Sequence, residues 1–257
     1  MDMIAKGRTL GSVLAVSVAL SGCVDSVALA PGAVSADDRC SPLRATIVEA
    51  RQTEIDQRAQ SAAAGAFVGA LIGAAISGSD DRVQGAVLGA IAGGLTGYSS
   101  SYARQKAQTA RDARALLSSV NQDARAEGAL VTQTARAARD LRACRRSEVA
   151  SLTQRVRNGQ VSAAAARTEL RAIERRVAAD NRIVSATLDG IDRRVTAYVD
   201  TTGAVARADQ AISASRARSA TPSVTRVRTQ TESVARADVS AREAVDADIE
   251  ALQALLG

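Results

Sequence analysis

Between Ser61 and Gly97 glycine recurs every fourth residue, and no other feature of the chain restricts its folding as much. The first run reads SAAAGAFVGALIGAAIS, with Gly65, Gly69 and Gly73; the second reads VQGAVLGAIAGGLTG, with Gly85, Gly89, Gly93 and Gly97. A spacing of four places the glycines one helical turn apart on a single face. Each glycine inside a helix costs up to ~1 kcal/mol relative to alanine. Seven in register are tolerable only where bare backbone faces pack closely, the small-xxx-small rule of helix pairs. The intervening Gly78-Ser79-Asp80-Asp81-Arg82 is short and polar. The expectation is helix, tight loop, helix: an antiparallel hairpin with glycine along its seam.

Each arm is long enough to enter a membrane. Residues 59–79 and 83–103 carry no charge, and at ~1.5 Å per residue each spans a ~30 Å hydrocarbon core. The alternative is a soluble, close-packed Ala/Gly hairpin, because large apolar residues are few and a charged tip crosses lipid only at a cost.

The rest of the chain calls for an all-α fold. Aromatic residues make up 2% of the 257 residues, so a conventional aromatic core is excluded. Helical stripes replace it. Leu117, Val120, Ala124, Val131, Ala138, Leu141, Val149, Leu152 and Val156 recur at three and four or their multiples, which predicts a continuous helix from Tyr102 to Arg157 with a weak point at Gly128. Asn158-Gly159 ends it. Leu170, Val177, Val184, Ile191, Tyr198, Val205 and Ile212 then fall at every seventh position, with Ile173, Leu188 and Val195 beside them. That seam predicts a coiled coil or long bundle over 161–213, interrupted locally at Asp180 and Gly203. Pro222 breaks the chain within 214–223, and a last helix is expected over 225–256. Ser41-Pro42 reads as a helix start, Ser as N-cap and Pro at the first helical position.

The expected organisation is therefore a leader over 1–22, a tether over 23–40, a helix and glycine hairpin over 41–103, and a long α-helical coiled-coil or bundle region over 104–257. The net charge is +6, almost wholly from arginine. Acidic and basic residues are mixed along the helices, which reads as solvated faces with a mild attraction for anionic surfaces.

Several chemistries are excluded. The chain has no histidine, so neither a His-based triad nor a His metal site can form. The glycine spacing is not that of a phosphate loop. Carboxylates are expected on solvated helix faces beside arginine. No enzyme activity, metal or cofactor is expected.

The N-terminus is an export signal: Lys6 and Arg8, then the apolar run Leu10–Leu20, then Leu20-Ser21-Gly22-Cys23. The last four residues resemble the lipobox of bacterial lipoproteins. The resemblance implies signal peptidase II recognition through Leu20, Ser21 and Gly22, and lipidation of Cys23 by acyl chains such as palmitate. Two or three chains anchor a protein stably where one does not. Val24 follows Cys23, which in that family implies the outer membrane. A lipobox followed by paired glycine arms resembles the glycine-zipper two-transmembrane lipoproteins, over roughly residues 20–100.

Export makes an oxidised state the default for Cys40 and Cys144. A hairpin centred near residue 80 sets Cys40 beside residue 120, ~36 Å along the helix from Cys144. Either the helix bends back near Asn121–Gly128, or the bond is intermolecular, or the thiols stay free.

The functional expectation is an envelope lipoprotein facing the periplasm, with a structural or assembly role through helix packing. Its partners would be membrane lipid and a second copy or an envelope protein, with no nucleic acid. A pore-forming oligomer and an accessory lipoprotein of a secretion or efflux machine are the alternatives.

Overall fold

A computed structural model describes residues 38–48, 97–208 and 213–257. These residues lie in one unit, Asp38–Gly257. Six helices are described: α1 over 41–48, α2 Gly97–Thr109, α3 Ala113–Arg157, α4 Ala163–Ala208, α5 Ala214–Ala220 and α6 Pro222–Leu256. No strand occurs among the described residues, so the fold is all-α. The glycine arms up to residue 96, the lipobox and Ile212 lie outside the described residues.

Helices α3, α4 and α6 form a three-helix bundle. Pairings of Glu127 with Arg194 and Arg145 with Asp180 run α4 antiparallel to α3. Contacts of Asn121 with Ser223, Gly128 with Gln230 and Arg146 with Asp248 run α6 parallel to α3. With 45 and 46 residues, α3 and α4 are each about 68 Å long.

The seam follows the heptad closely. On α4 the buried positions Ala166, Leu170, Ile173, Val177, Asp180, Val184, Thr187, Ile191, Arg194, Tyr198, Thr201 and Val205 alternate in steps of four and three without a break. Of the expected apolar positions from Leu170 to Val205 all are buried except Leu188, which is half-buried against the core. Asp180 does not interrupt the helix, nor does Gly203. Asp180 occupies a seam position and is fully buried. On α3, Glu127, Thr134, Arg145 and Glu148 fill the steps between the apolar positions. The expectation that carboxylates and arginines keep to solvated faces therefore fails along the centre of the bundle. Part of the seam is polar, and its charged positions pair across the bundle, Glu127 with Arg194 and Arg145 with Asp180.

The helix predicted over 102–157 is two helices. Its break lies at Ala110–Asp112, where the Asp112 side chain caps α3 by accepting from the Ala115 N–H at 2.8 Å. The change of direction lets Tyr102 on α2 reach Asp123 on α3, at 2.7 Å, and meet the Tyr198 ring edge-on at 5.2 Å between centroids. Gly128 stays helical, and its carbonyl accepts from the Gln230 side chain. Asn158-Gly159 does end α3: Gly159 has φ +66°, and Gly159 and Gln160 N–H groups close on the carbonyls of Val156 and Arg155. α1 begins one residue earlier than expected, with the Cys40 carbonyl accepting from the Arg44 N–H. α5 precedes the Pro222 break, and Pro222 opens α6 in its first turn.

Candidate functional site

The densest polar arrangement in the bundle lies where α1 meets α3 and α4. Its centre is Arg145, wholly inaccessible to solvent. Arg145 Nε donates to Asp180 Oδ2 at 2.6 Å, and the terminal nitrogens donate to Asp38 Oδ1 and Oδ2 at 2.8 and 2.9 Å and to Glu148 Oε2 at 2.7 Å. A second cation, Arg44 on α1, bridges Asp180 Oδ1 at 2.6 Å and Asp38 Oδ2 at 2.7 Å. Arg39 and Arg176 approach the remaining oxygen of Glu148 at 3.8 and 3.6 Å from the rim. Three segments far apart in sequence thus share one core of paired charges.

Burial by itself raises the Asp38 carboxyl. The hydrogen bonds and charge of Arg145, the Cys40 N–H and the charge of Arg44 outweigh it and bring the carboxyl down to about 2. Arg145 is held charged in turn: burial lowers its pKa, and its hydrogen bonds to Asp38, Asp180 and Glu148 more than reverse that.

The disulfide stands beside this cluster. Cys40 and Cys144 are bonded to each other, Cα atoms 5.9 Å apart, so of the three arrangements left open by the sequence the bond is intramolecular. α3 itself is unbroken from Ala113 to Arg157. The chain turns at Ala110–Asp112 instead, earlier than Asn121–Gly128, and the register assumed for a hairpin centred near residue 80 does not hold within the bundle. Residues 38–40, assigned from sequence to the end of the tether, are instead fixed here: Asp38 and Cys40 are buried, and the Cys40 N–H donates to Asp38 Oδ1 at 3.0 Å.

Two further polar layers cross the bundle. Arg194 donates to both oxygens of Glu127 at 2.7 and 2.8 Å, and Tyr198 adds a third bond to Glu127 at 3.2 Å. Arg142 holds Asp238 on α6 and Asn181 on α4. Burial and then the charge of Glu127 raise the Tyr198 phenol well above its usual range; burial and Asp123 do the same for Tyr102. Both phenols therefore serve as neutral donors.

These layers fix register. A slip of one heptad, ~10.5 Å, would set Asp180 against Ala138 or Leu152 and Arg145 against Ile173 or Thr187. Each charge would lie buried without its partner, at several kcal/mol apiece. The apolar half of the seam drives association; the ionic half selects one alignment.

Asp38, Cys40 and Glu148 bring donor atoms within 4.8 Å of one another. Cys40 has no thiolate to offer a metal, being spent in the disulfide, and Arg145 takes oxygens of both carboxylates. The arrangement acts as a clamp.

Of the residues singled out by sequence, the structure brings together Cys40 and Cys144. Gly97 opens α2 with φ +57°, and among the described residues nothing lies within 4 Å of where its Cβ would stand. A left-handed residue at that position favours glycine. Leu20, Ser21, Gly22, Cys23, Gly65, Gly69, Gly73, Gly85, Gly89 and Gly93 lie outside the described residues. Sequence reading missed Asp38, Arg44, Glu127, Arg145, Asp180 and Arg194. The signal that finds most of them is the heptad itself: all but Asp38 and Arg44 sit at seam positions of α3 and α4.

A model of the glycine zipper 2TM domain matches residues 60–101, which include both glycine arms and the first five residues of α2. The match points to a membrane-associated role. No curated protein and no solved structure matches the chain. No helix among the described residues is long and apolar enough to cross a membrane.

Proposed function

We propose that this chain is a membrane-anchored lipoprotein of the bacterial cell envelope, lipidated at Cys23, whose helical bundle organises or assembles envelope components by helix–helix packing. One observation carries the reading. The segment entering the glycine-zipper stretch is joined to the middle of a long bundle by a disulfide and by the Arg145 clamp. A load on the anchored segment is thereby transmitted to α3 and α4 instead of being lost in a loose linker. An outer-membrane location facing the periplasm accords with Val24 after Cys23 and with an oxidised cysteine pair. The reading includes no catalytic step, cofactor or nucleic-acid partner. A second copy or another envelope protein would pack against the bundle.

The test is Cys23→Ala. The variant should keep its signal segment and leave the membrane fraction, while mass spectrometry of the wild-type mature N-terminus should show an acylated cysteine. An unmodified mature N-terminus at any other residue overturns the anchoring. Crosslinking in intact cells identifies the partner; detergent-resistant oligomers with ion conductance would favour the pore-forming alternative.

A further inference from the structure

The charge of the bundle is gathered at one end. The Glu127–Arg194 layer divides it, and Gly128 beside Gln230 carries the same boundary onto α6. Beyond this layer lie α2, the start of α3, the end of α4, α5 and the start of α6, bound into one apolar cluster through Tyr102, Leu117, Val205, Ala217 and Val224. The described residues of this end, 97–126, 195–208 and 213–229, hold ten basic side chains and three acidic ones. All the other described residues together hold eighteen and fifteen. The three acids are already engaged: Asp112 caps α3, Asp123 accepts from Tyr102 and Lys106, and Asp200 accepts from Ser99. Nine of the ten cations are exposed arginines, among them Arg104, Arg111, Arg114, Arg207, Arg218 and Arg226; all but Arg111, in the break before α3, lie on five different helices, and Arg228 pairs with Glu232 at 3.1 Å.

This is also the end at which the glycine-zipper stretch joins the bundle. The matched domain ends at residue 101, inside α2. The charge-free stretch 83–103 closes on Arg104, the first cation of the cluster. Ser99 on Asp200 and Tyr102 on Tyr198 hold that junction against α4. Arg104 thus follows the residues by which the matched stretch joins the bundle, and a basic surface beside a membrane attracts anionic lipid within a Debye length.

We propose that this arginine-rich end is a docking surface for anionic phospholipid headgroups, which sets the bundle against the membrane that its glycine-zipper stretch enters. The proposal rests on the membrane-associated reading above and adds the surface, the lipid charge and the orientation.

The chain has no tryptophan, so single tryptophans report position. Full-length protein carrying Ser219→Trp, on exposed α5, or Ser151→Trp, exposed on the far half of α3, is reconstituted in vesicles with dansyl-labelled headgroups. One vesicle set is phosphatidylcholine; the other contains about 30% phosphatidylglycerol. Energy transfer from the position-219 probe should be about fivefold or more stronger in the anionic set and should collapse at about 0.5 M salt. Arg114→Glu, Arg218→Glu and Arg226→Glu combined should abolish the difference while circular dichroism stays unchanged. The position-151 probe should show little transfer in either set. Equal transfer from the position-219 probe in both sets, transfer unmoved by salt and by the three reversals, or stronger transfer from the position-151 probe overturns the proposal. Flotation reads the underlying reading separately. Protein that floats with both sets but shows no charge-dependent transfer refutes the docking surface alone, and protein that floats with neither refutes membrane association together with it.

Discussion

Replacing Arg145 with methionine should be among the most damaging single changes in the bundle. Methionine keeps much of the length of the side chain and removes the charge with its four hydrogen bonds to Asp38, Asp180 and Glu148. Removing one partner of a buried ion pair typically costs ~3–5 kcal/mol, because the other charge is left uncompensated. Here three carboxylates lose their common partner. Arg44 still reaches Asp38 and Asp180, and Arg39 and Arg176 still face Glu148, so the loss should stay near ~3–5 kcal/mol instead of tripling. The cost should also depend on pH. The Asp38 carboxyl stands at 3.8 unperturbed and about 2 in the folded protein, a difference worth about 2 kcal/mol. A carboxyl depressed on folding contributes its full stability above its unfolded value and loses it as pH falls through the folded value. The gap between wild type and Arg145→Met should therefore be widest near neutral pH and shrink between pH ~4 and ~2. Urea unfolding of the detergent-solubilised mature protein, followed by circular dichroism with the disulfide intact, measures both. A loss under ~1 kcal/mol at neutral pH, or a gap that does not change with pH, would refute the view that Arg145 holds the clamp together.

Thr134 sits in the α3 seam, almost wholly buried, and its hydroxyl has no hydrogen-bond partner among the described residues. Thr134→Val should be neutral or raise stability by up to ~1 kcal/mol, read as an unchanged or higher Tm; a clear drop would mean the hydroxyl has a partner. Reducing the Cys40–Cys144 bond frees a loop of 104 residues, which removes up to ~4.7 kcal/mol in the loop-entropy account. Non-reducing gels should show a fast-migrating monomer, and a dimer band would contradict an intramolecular bond. In the glycine stretch, Gly69→Leu should weaken protease resistance of residues 60–100 in native membranes more than Ala70→Leu does, since filling a close contact costs ~1–3 kcal/mol. Equal behaviour would remove the packing meaning of the fourfold spacing.

The sequence by itself determined the all-α class, the heptad on α4 and the ends of several helices. Each follows from short-range rules. Apolar residues every seventh position from Leu170 to Val205 can share a seam only in a helix. Gly159 supplies the left-handed residue that stops α3, and Pro222 fits only a first turn. What the sequence left undecided depends on contacts between distant segments. The break at Ala110–Asp112 contains neither glycine nor proline; it exists because Tyr102 gains Asp123 and Tyr198 only when the chain turns there. Asp180 looks like a helix interruption until Arg44 and Arg145, 136 and 35 residues away, balance it. A charge in a seam is costly alone and selective when paired, and the partner is chosen by packing, not by local spacing. The same holds for Cys40 and Cys144: the oxidising setting favours a bond, and only the tertiary path of α1 along α3 decides that the two belong to each other.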